Sequence, residues 1–168
     1  YCDDLNSEKR KNCILVLNII LESLLKWFAP ILSFTTEEIF NLVDKDKDNS
    51  IHLEKFVQIP SKWKNQELNE KWIKIKKIRD LANISIENKR ANKVIGSSLE
   101  AEVKIKLNKK FYELSKNFDF AEICITSGAK IILDEKLADE ILVETIKAEG
   151  EKCKVCWKIN KGKCERHG

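Results

Sequence analysis

Four side chains near the end of the sequence have the types and spacing of a metal site: Cys153, Cys156, Cys164 and His167, in a Cys-x2-Cys-x7-Cys-x2-His array. Each x2 pair lets one tight turn present two ligands, and two such pairs complete the tetrahedron that zinc prefers. Three thiolates and an imidazole leave no open coordination position, so the expected Zn2+ is structural and not catalytic. Lys152, Lys154, Lys158, Lys161, Lys163 and Arg166 surround the array, which points to an anionic partner such as nucleic acid. Trp157 directly follows a ligand. Its ring either packs on the knuckle or stacks on an unstacked base.

No other constellation in the chain predicts chemistry. His52 is the only further histidine, and no serine or cysteine has a context that supplies a partnering base. Gly96-Ser97-Ser98 reads as a helix stop and not as a phosphate-binding glycine loop. The stretch from Asp44 to Ile51 imitates the first eight positions of an EF-hand loop. Its twelfth position is Lys55 where a bidentate glutamate is required, and Asn49 stands in place of the turn glycine, so an exposed connector is expected. No catalytic residue is assigned.

The 168 residues carry a net charge of +4 and contain no methionine. A chain without methionine reads as a piece of a longer product, and its stop directly after the metal array suggests the C-terminal piece. Three of the six cysteines crowd the metal array and the others are scattered. With no signal peptide and a lysine-rich composition, this pattern predicts a cytosolic protein and reduced thiols. Cys13 and Cys124, within apolar runs, read as buried thiols. Residues 62–110 hold fourteen Lys+Arg against six Asp+Glu, a local charge of +8. Such a segment is either a polyanion-binding face or a solvated helix surface.

The elements that must position these residues are mostly helical. Residues 13–34 are apolar enough to raise a membrane span, but Asn18, Glu22 and Lys26 form one polar stripe at i, i+4 and i+8. Central Glu and Lys would each cost about 2.5–3.5 kcal/mol in a bilayer, so a core helix of a bundle is expected, from Ser7 as N-cap to Pro30. Thr35 with Glu38 reads as a capping box, and Phe34 with Ile39 as a hydrophobic staple, for a helix reaching Val43. An extended stretch is expected over Ile51–Val57. A long helix follows over Glu67–Lys93, with Trp72, Ile75, Ile78 and Ala82 on its buried face and Gly96 as its stop. Alternation over Ala101–Leu107 predicts a half-buried strand. A short helix at Lys109–Asn117 and strands near Ala121–Thr126, Lys130–Leu133 and Ile141–Lys147 complete a small α/β unit. The fold class is therefore mainly α: a helical bundle, a small α/β unit and a C-terminal zinc knuckle.

Several blocks resemble the C-terminal part of bacterial-type isoleucyl-tRNA synthetases. They are Tyr1-Cys2-Asp3, the run Trp27-Phe28-Ala29-Pro30-Ile31-Leu32-Ser33-Phe34-Thr35-Thr36-Glu37-Glu38-Ile39-Phe40, Ser50-Ile51-His52-Leu53, the block from Lys93 to Ala101, and the block from Gly150 to Trp157. The sequence departs from the family where Phe40 replaces a common Trp, and where His167 and a seven-residue loop replace a fourth cysteine and a longer loop. The resemblance implies a helical anticodon-binding domain over residues 1–95, an α/β junction unit over 96–150 and a zinc module over 151–168. It further implies that this region binds the anticodon stem-loop of isoleucine tRNA, through Lys89, Arg90, Lys93, Lys154 and Trp157. ATP and Mg2+ would serve a catalytic body of the same polypeptide, without which this region should be inactive; a cytoplasmic monomer is expected. The alternative from another class is a self-standing zinc-dependent nucleic-acid-binding protein, and the nearer rival is a valyl or leucyl synthetase.

Overall fold

The computed structural model describes residues 3–44, 48–138, 140–164 and 167. The middle of the EF-hand-like connector, together with Tyr1, Cys2 and Arg166, lies outside the described residues. About half of the chain is helical, with a small mixed sheet. It divides into two compact units, Tyr1–Lys64 and Asn65–Gly168. The long helix, residues 66–91, sits in the second unit.

In the first unit, α1 spans Glu8–Phe28 and α2 spans Ser33–Val43. Ser7 caps α1 as expected, its side chain accepting from the Arg10 N–H. The capping box at Thr35 does not form. The N–H groups of Ile31 and Leu32 both fold back onto Phe28 O, which starts α2 three residues early and places Thr35 inside it. Ser33 Oγ donates to Ala29 O and Thr36 Oγ1 to Leu32 O, while Leu32 at the N-cap position offers no side-chain acceptor to the first turn. Phe34 is 92% exposed and makes no staple. The stretch after the connector is one 3-10 turn, Ile51–Leu53, and not an extended segment. Glu37 closes it: one carboxylate oxygen accepts from Ser50 Oγ and from the Ile51 N–H. Ile51 thereby packs with Leu25 and Ala29. Lys26, nearly buried, pairs with Glu22 one turn earlier in α1 at 2.7 Å and with Glu54 of the following segment at 3.2 Å. Much of the apolar surface of α1 stays exposed, including Leu17, Ile20, Leu24 and Trp27.

The second unit is built on α3, Gln66–Ala91, which Asn65 caps through its side chain. Ile75, Ile78, Ala82 and Ile86 are its buried stripe. Trp72 stays partly exposed and meets Phe118 edge-on, with ring centroids 5.7 Å apart. The helix stops before Gly96. Val94 N–H donates to Lys89 O and Lys93 N–H to Arg90 O, the paired bonds of a Schellman turn, with Lys93 at the left-handed position (φ 57°).

The sheet against which α3 packs has β1 (Ala101–Leu107) at its centre, parallel to β2 (Gly128–Leu133) and antiparallel to β3 (Leu142–Lys147). Ala101, Val103, Ile105 and Leu107 are fully buried on one face, as the alternation predicts. A parallel pair needs a crossover, supplied by α4 (Lys109–Ser115) and α5 (Phe120–Ile123). The strand expected at Ala121–Thr126 is therefore corrected: Asp119 caps a single helical turn, Phe120 is buried beneath it, and Ile125 at φ 54° redirects the chain. Two short strands, β4 (Glu151–Lys152) and β5 (Ile159–Asn160), form an antiparallel hairpin that the sequence did not predict. Among the described residues, no helix is long and apolar enough to cross a membrane.

Candidate metal centre and its basic surroundings

The hairpin of β4 and β5 brings the metal-type ligands together. Gly150, at φ 132°, enters it where a Cβ would lie 2.1 Å from Asn160 O, so only glycine fits. Cys153 N–H donates to Lys158 O and Trp157 N–H to Cys153 O, wrapping residues 153–157 into a tight turn. On the other side, His167 N–H donates to Cys164 O. The ligand atoms of Cys153, Cys156, Cys164 and His167 all lie within 4.8 Å of one another.

This cluster fits zinc. Tetrahedral bonds of about 2.3 Å to sulfur and 2.0–2.1 Å to nitrogen set sulfurs about 3.8 Å apart and sulfur–nitrogen pairs about 3.6 Å apart. Cys156 Sγ and Cys164 Sγ are 3.6 Å apart, and His167 Nδ1 lies 3.6 Å from Cys153 Sγ and 3.4 Å from Cys164 Sγ. The backbone also favours a thiolate. Hydrogen bonds from the backbone of Cys156 and then Val155 draw the Cys153 thiol down to about 6, whereas burial pushes Cys156 up. Four ligands of this kind would fill a tetrahedral shell, so a bound zinc would hold the loop in shape and offer no position to a substrate.

Around the centre, Lys154 is exposed and Trp157 is 59% exposed. Trp157 has a left-handed backbone (φ 63°). Lys152 Nζ stands 5.8 Å from the centre of its ring. The second basic group ends α3. Arg90 is held by Glu87 at 2.7 Å, and Arg90 and Lys93 line a cleft of about 710 Å³ with Lys147 of β3 and Glu100. Lys89 is half-buried and does not line that cleft. Sequence reasoning missed Lys147, because only the packing of β3 against α3 brings it near the end of that helix. It also missed Ser127, whose hydroxyl donates to Leu99 O and accepts from the Ile159 N–H, fastening the hairpin to the α/β core. For Gly150 the residue type was the available signal.

Residues 1–105 match the family described as the anticodon-binding domain of tRNA ligase, and the chain belongs to that family. Over 167 residues, 99% of this chain, it is 64% identical to an isoleucine–tRNA ligase of Pelagibacter ubique, of which it covers 18%. It is 39% identical over 168 residues to the isoleucine–tRNA ligase of Agrobacterium fabrum, covering 95% of this chain and 17% of that one. The corresponding ligase of Bartonella quintana is 38% identical over 167 residues, with 94% and 17% covered. The chain thus spans less than a fifth of the length of the relatives it matches.

Proposed function

We propose that this chain is the tRNA-binding C-terminal region of an isoleucine–tRNA ligase, holding the anticodon stem-loop while a catalytic body of the same polypeptide performs ATP- and Mg2+-dependent aminoacylation. The family match over residues 1–105 carries the reading, and the high identity to isoleucine–tRNA ligases supports the choice of amino acid. Residues 1–95 act as the anticodon-binding domain, 96–150 as the junction and 151–168 as the zinc module, in a cytoplasmic monomer. Zinc, when bound, cross-links the two halves of the knuckle. Cys153, Cys156, Cys164 and His167 hold it, and the fixed loop presents Trp157 and Lys154 to unstacked loop bases and their phosphates.

Lys89, Arg90 and Lys93 supply phosphate contacts in this reading. Lys89 and Arg90 lie in the last turn of α3 and Lys93 in the turn that follows, where cations also offset the negative end of the helix dipole. Salt dependence separates the two roles. Each phosphate contact contributes about 0.7–0.9 to the slope of log affinity against log salt, whereas dipole compensation contributes to stability alone. The test is titration of cognate and non-cognate tRNA at several salt concentrations, with alanine at Lys89, Arg90 and Lys93. Cognate preference that survives these substitutions while the slope falls supports the reading; equal affinity of the wild-type protein for both tRNAs overturns it. The isolated chain should form no isoleucyl-adenylate, and isoleucine-dependent pyrophosphate exchange by a clean preparation would contradict the assignment of catalysis to another part.

A further inference from the structure

The environment of the Trp157 ring is unusual for an aromatic side chain next to a metal centre. An indole that merely packed on the knuckle would be covered by it, yet this ring is 59% exposed. Its backbone is held at φ 63°, a region that non-glycine residues rarely adopt. Two features impose that conformation: the Trp157 N–H bonds Cys153 O, and Cys153 N–H bonds Lys158 O across the same turn. The ring therefore leaves the knuckle on a rigid stem.

The backbone of Lys152 is fixed by the hairpin. The residue belongs to β4, paired with Ile159 in β5, and the hairpin is set by the close approach of Gly150 to Asn160 O. The ammonium of Lys152 stands 5.8 Å from the Trp157 ring centre, within the range over which a cation is attracted to the face of an indole. We infer that Lys152 is a positioning residue for Trp157: its ammonium occupies one face of the indole and leaves the other as a one-sided stacking platform for a single unpaired RNA base. The inference rests on reading Trp157 as a base-stacking ring, and adds to it which neighbour sets the ring's orientation. A stacked base draws its binding from the open face, while the ammonium restrains the ring before RNA arrives, so less freedom is lost on binding.

The experiment uses the full polypeptide carrying this chain, zinc-loaded and labelled with 5-fluorotryptophan, the signal of residue 157 being assigned by its loss in Trp157→Phe. The probe is the anticodon stem-loop RNA of an isoleucine tRNA, and zinc content is measured for every variant. Lys152→Met should shift the residue-157 fluorine signal and weaken RNA binding about 2- to 5-fold. Lys152→Arg should restore most of both, and Lys154→Met should leave the fluorine signal in place. In a Trp157→Ala background, Lys152→Met should have no further effect. An unchanged signal and unchanged affinity in Lys152→Met overturn the inference. So does a loss that persists in the Trp157→Ala background with a lower salt slope, because Lys152 would then contact phosphate directly. If Trp157→Ala itself binds the stem-loop as tightly as wild type, the stacking reading fails and this inference fails with it.

Discussion

At the scale of single residues, the two cysteine environments make opposite predictions. The thiols of Cys153 and Cys156 sit among hydrogen-bond donors and other metal-type ligands, so replacing both with serine should abolish zinc binding by metal analysis; stoichiometric zinc in that variant would count against the assignment. Cys124, only 4% exposed, is pushed by burial up to about 11, with Arg79 opposing. The folded state thus keeps its proton above the pH at which the unfolded thiol loses it. Its contribution is intact below pH 9, the ordinary thiol value, and is progressively lost as pH rises toward 11. Denaturant midpoints measured from pH 8 to 11 should therefore fall more steeply in wild type than in Cys124→Ala. Parallel slopes would show that this thiol is not the group responsible.

Among the elements, the end of α3 is where local strain and proposed function meet. Lys93 adopts a left-handed conformation at a position where glycine is usual. Lys93→Gly should stabilise the protein by about 0.5–1 kcal/mol, read from chemical denaturation, while reducing the salt slope of tRNA binding by about one contact. A variant that gains neither stability nor a shallower slope would show that the position matters for neither. This element also shows what was legible in the sequence. The period of Ile75, Ile78 and Ala82 marked the buried stripe of α3, and the alternation of Ala101 to Leu107 marked β1, because one continuous core reads both. Boundaries set by a few hydrogen bonds were not legible. The Schellman turn displaced the stop from Gly96, and the fold-back onto Phe28 O displaced the start of α2. A four-residue helix beginning at Phe120 replaced an expected strand because a short apolar run fits either state until a cap such as Asp119 decides it. The clustering of Cys153, Cys156, Cys164 and His167 was legible because their spacing places each pair on one tight turn. The cation over Trp157 and the Ser127 joint were not, since both depend on strand pairing.

Over the whole molecule, the two compact units have very different cores. Asn65–Gly168 contains a continuous cluster from Ile75 to Ile141, whereas the buried cluster of Tyr1–Lys64 is Leu25, Ala29 and Ile51. The Cys153, Cys156, Cys164 and His167 cluster proposed to hold zinc belongs to neither core. Removal of that zinc should raise hydrogen exchange over residues 150–164 and leave the amides of β1 protected, because β1 draws its burial from α3 and its neighbouring strands. Exchange measured before and after chelation checks this, and a collapse of protection in β1 would show that the metal organises the whole second unit.

The Ser127 joint between the knuckle and the sheet unit acts in both directions. Ser127 Oγ serves Leu99 O and the Ile159 N–H at once, so metal affinity and sheet stability share a term. Linkage requires that whatever free energy the loaded knuckle lends the sheet, the folded sheet returns to the metal. A hydroxyl bridge of this kind contributes about 0.5–1.5 kcal/mol to that exchange, or roughly a 2- to 12-fold change in zinc affinity. The knuckle is therefore coupled to its platform strongly enough to keep its bearing, and weakly enough to be loaded with metal or stripped of it while the platform stays folded.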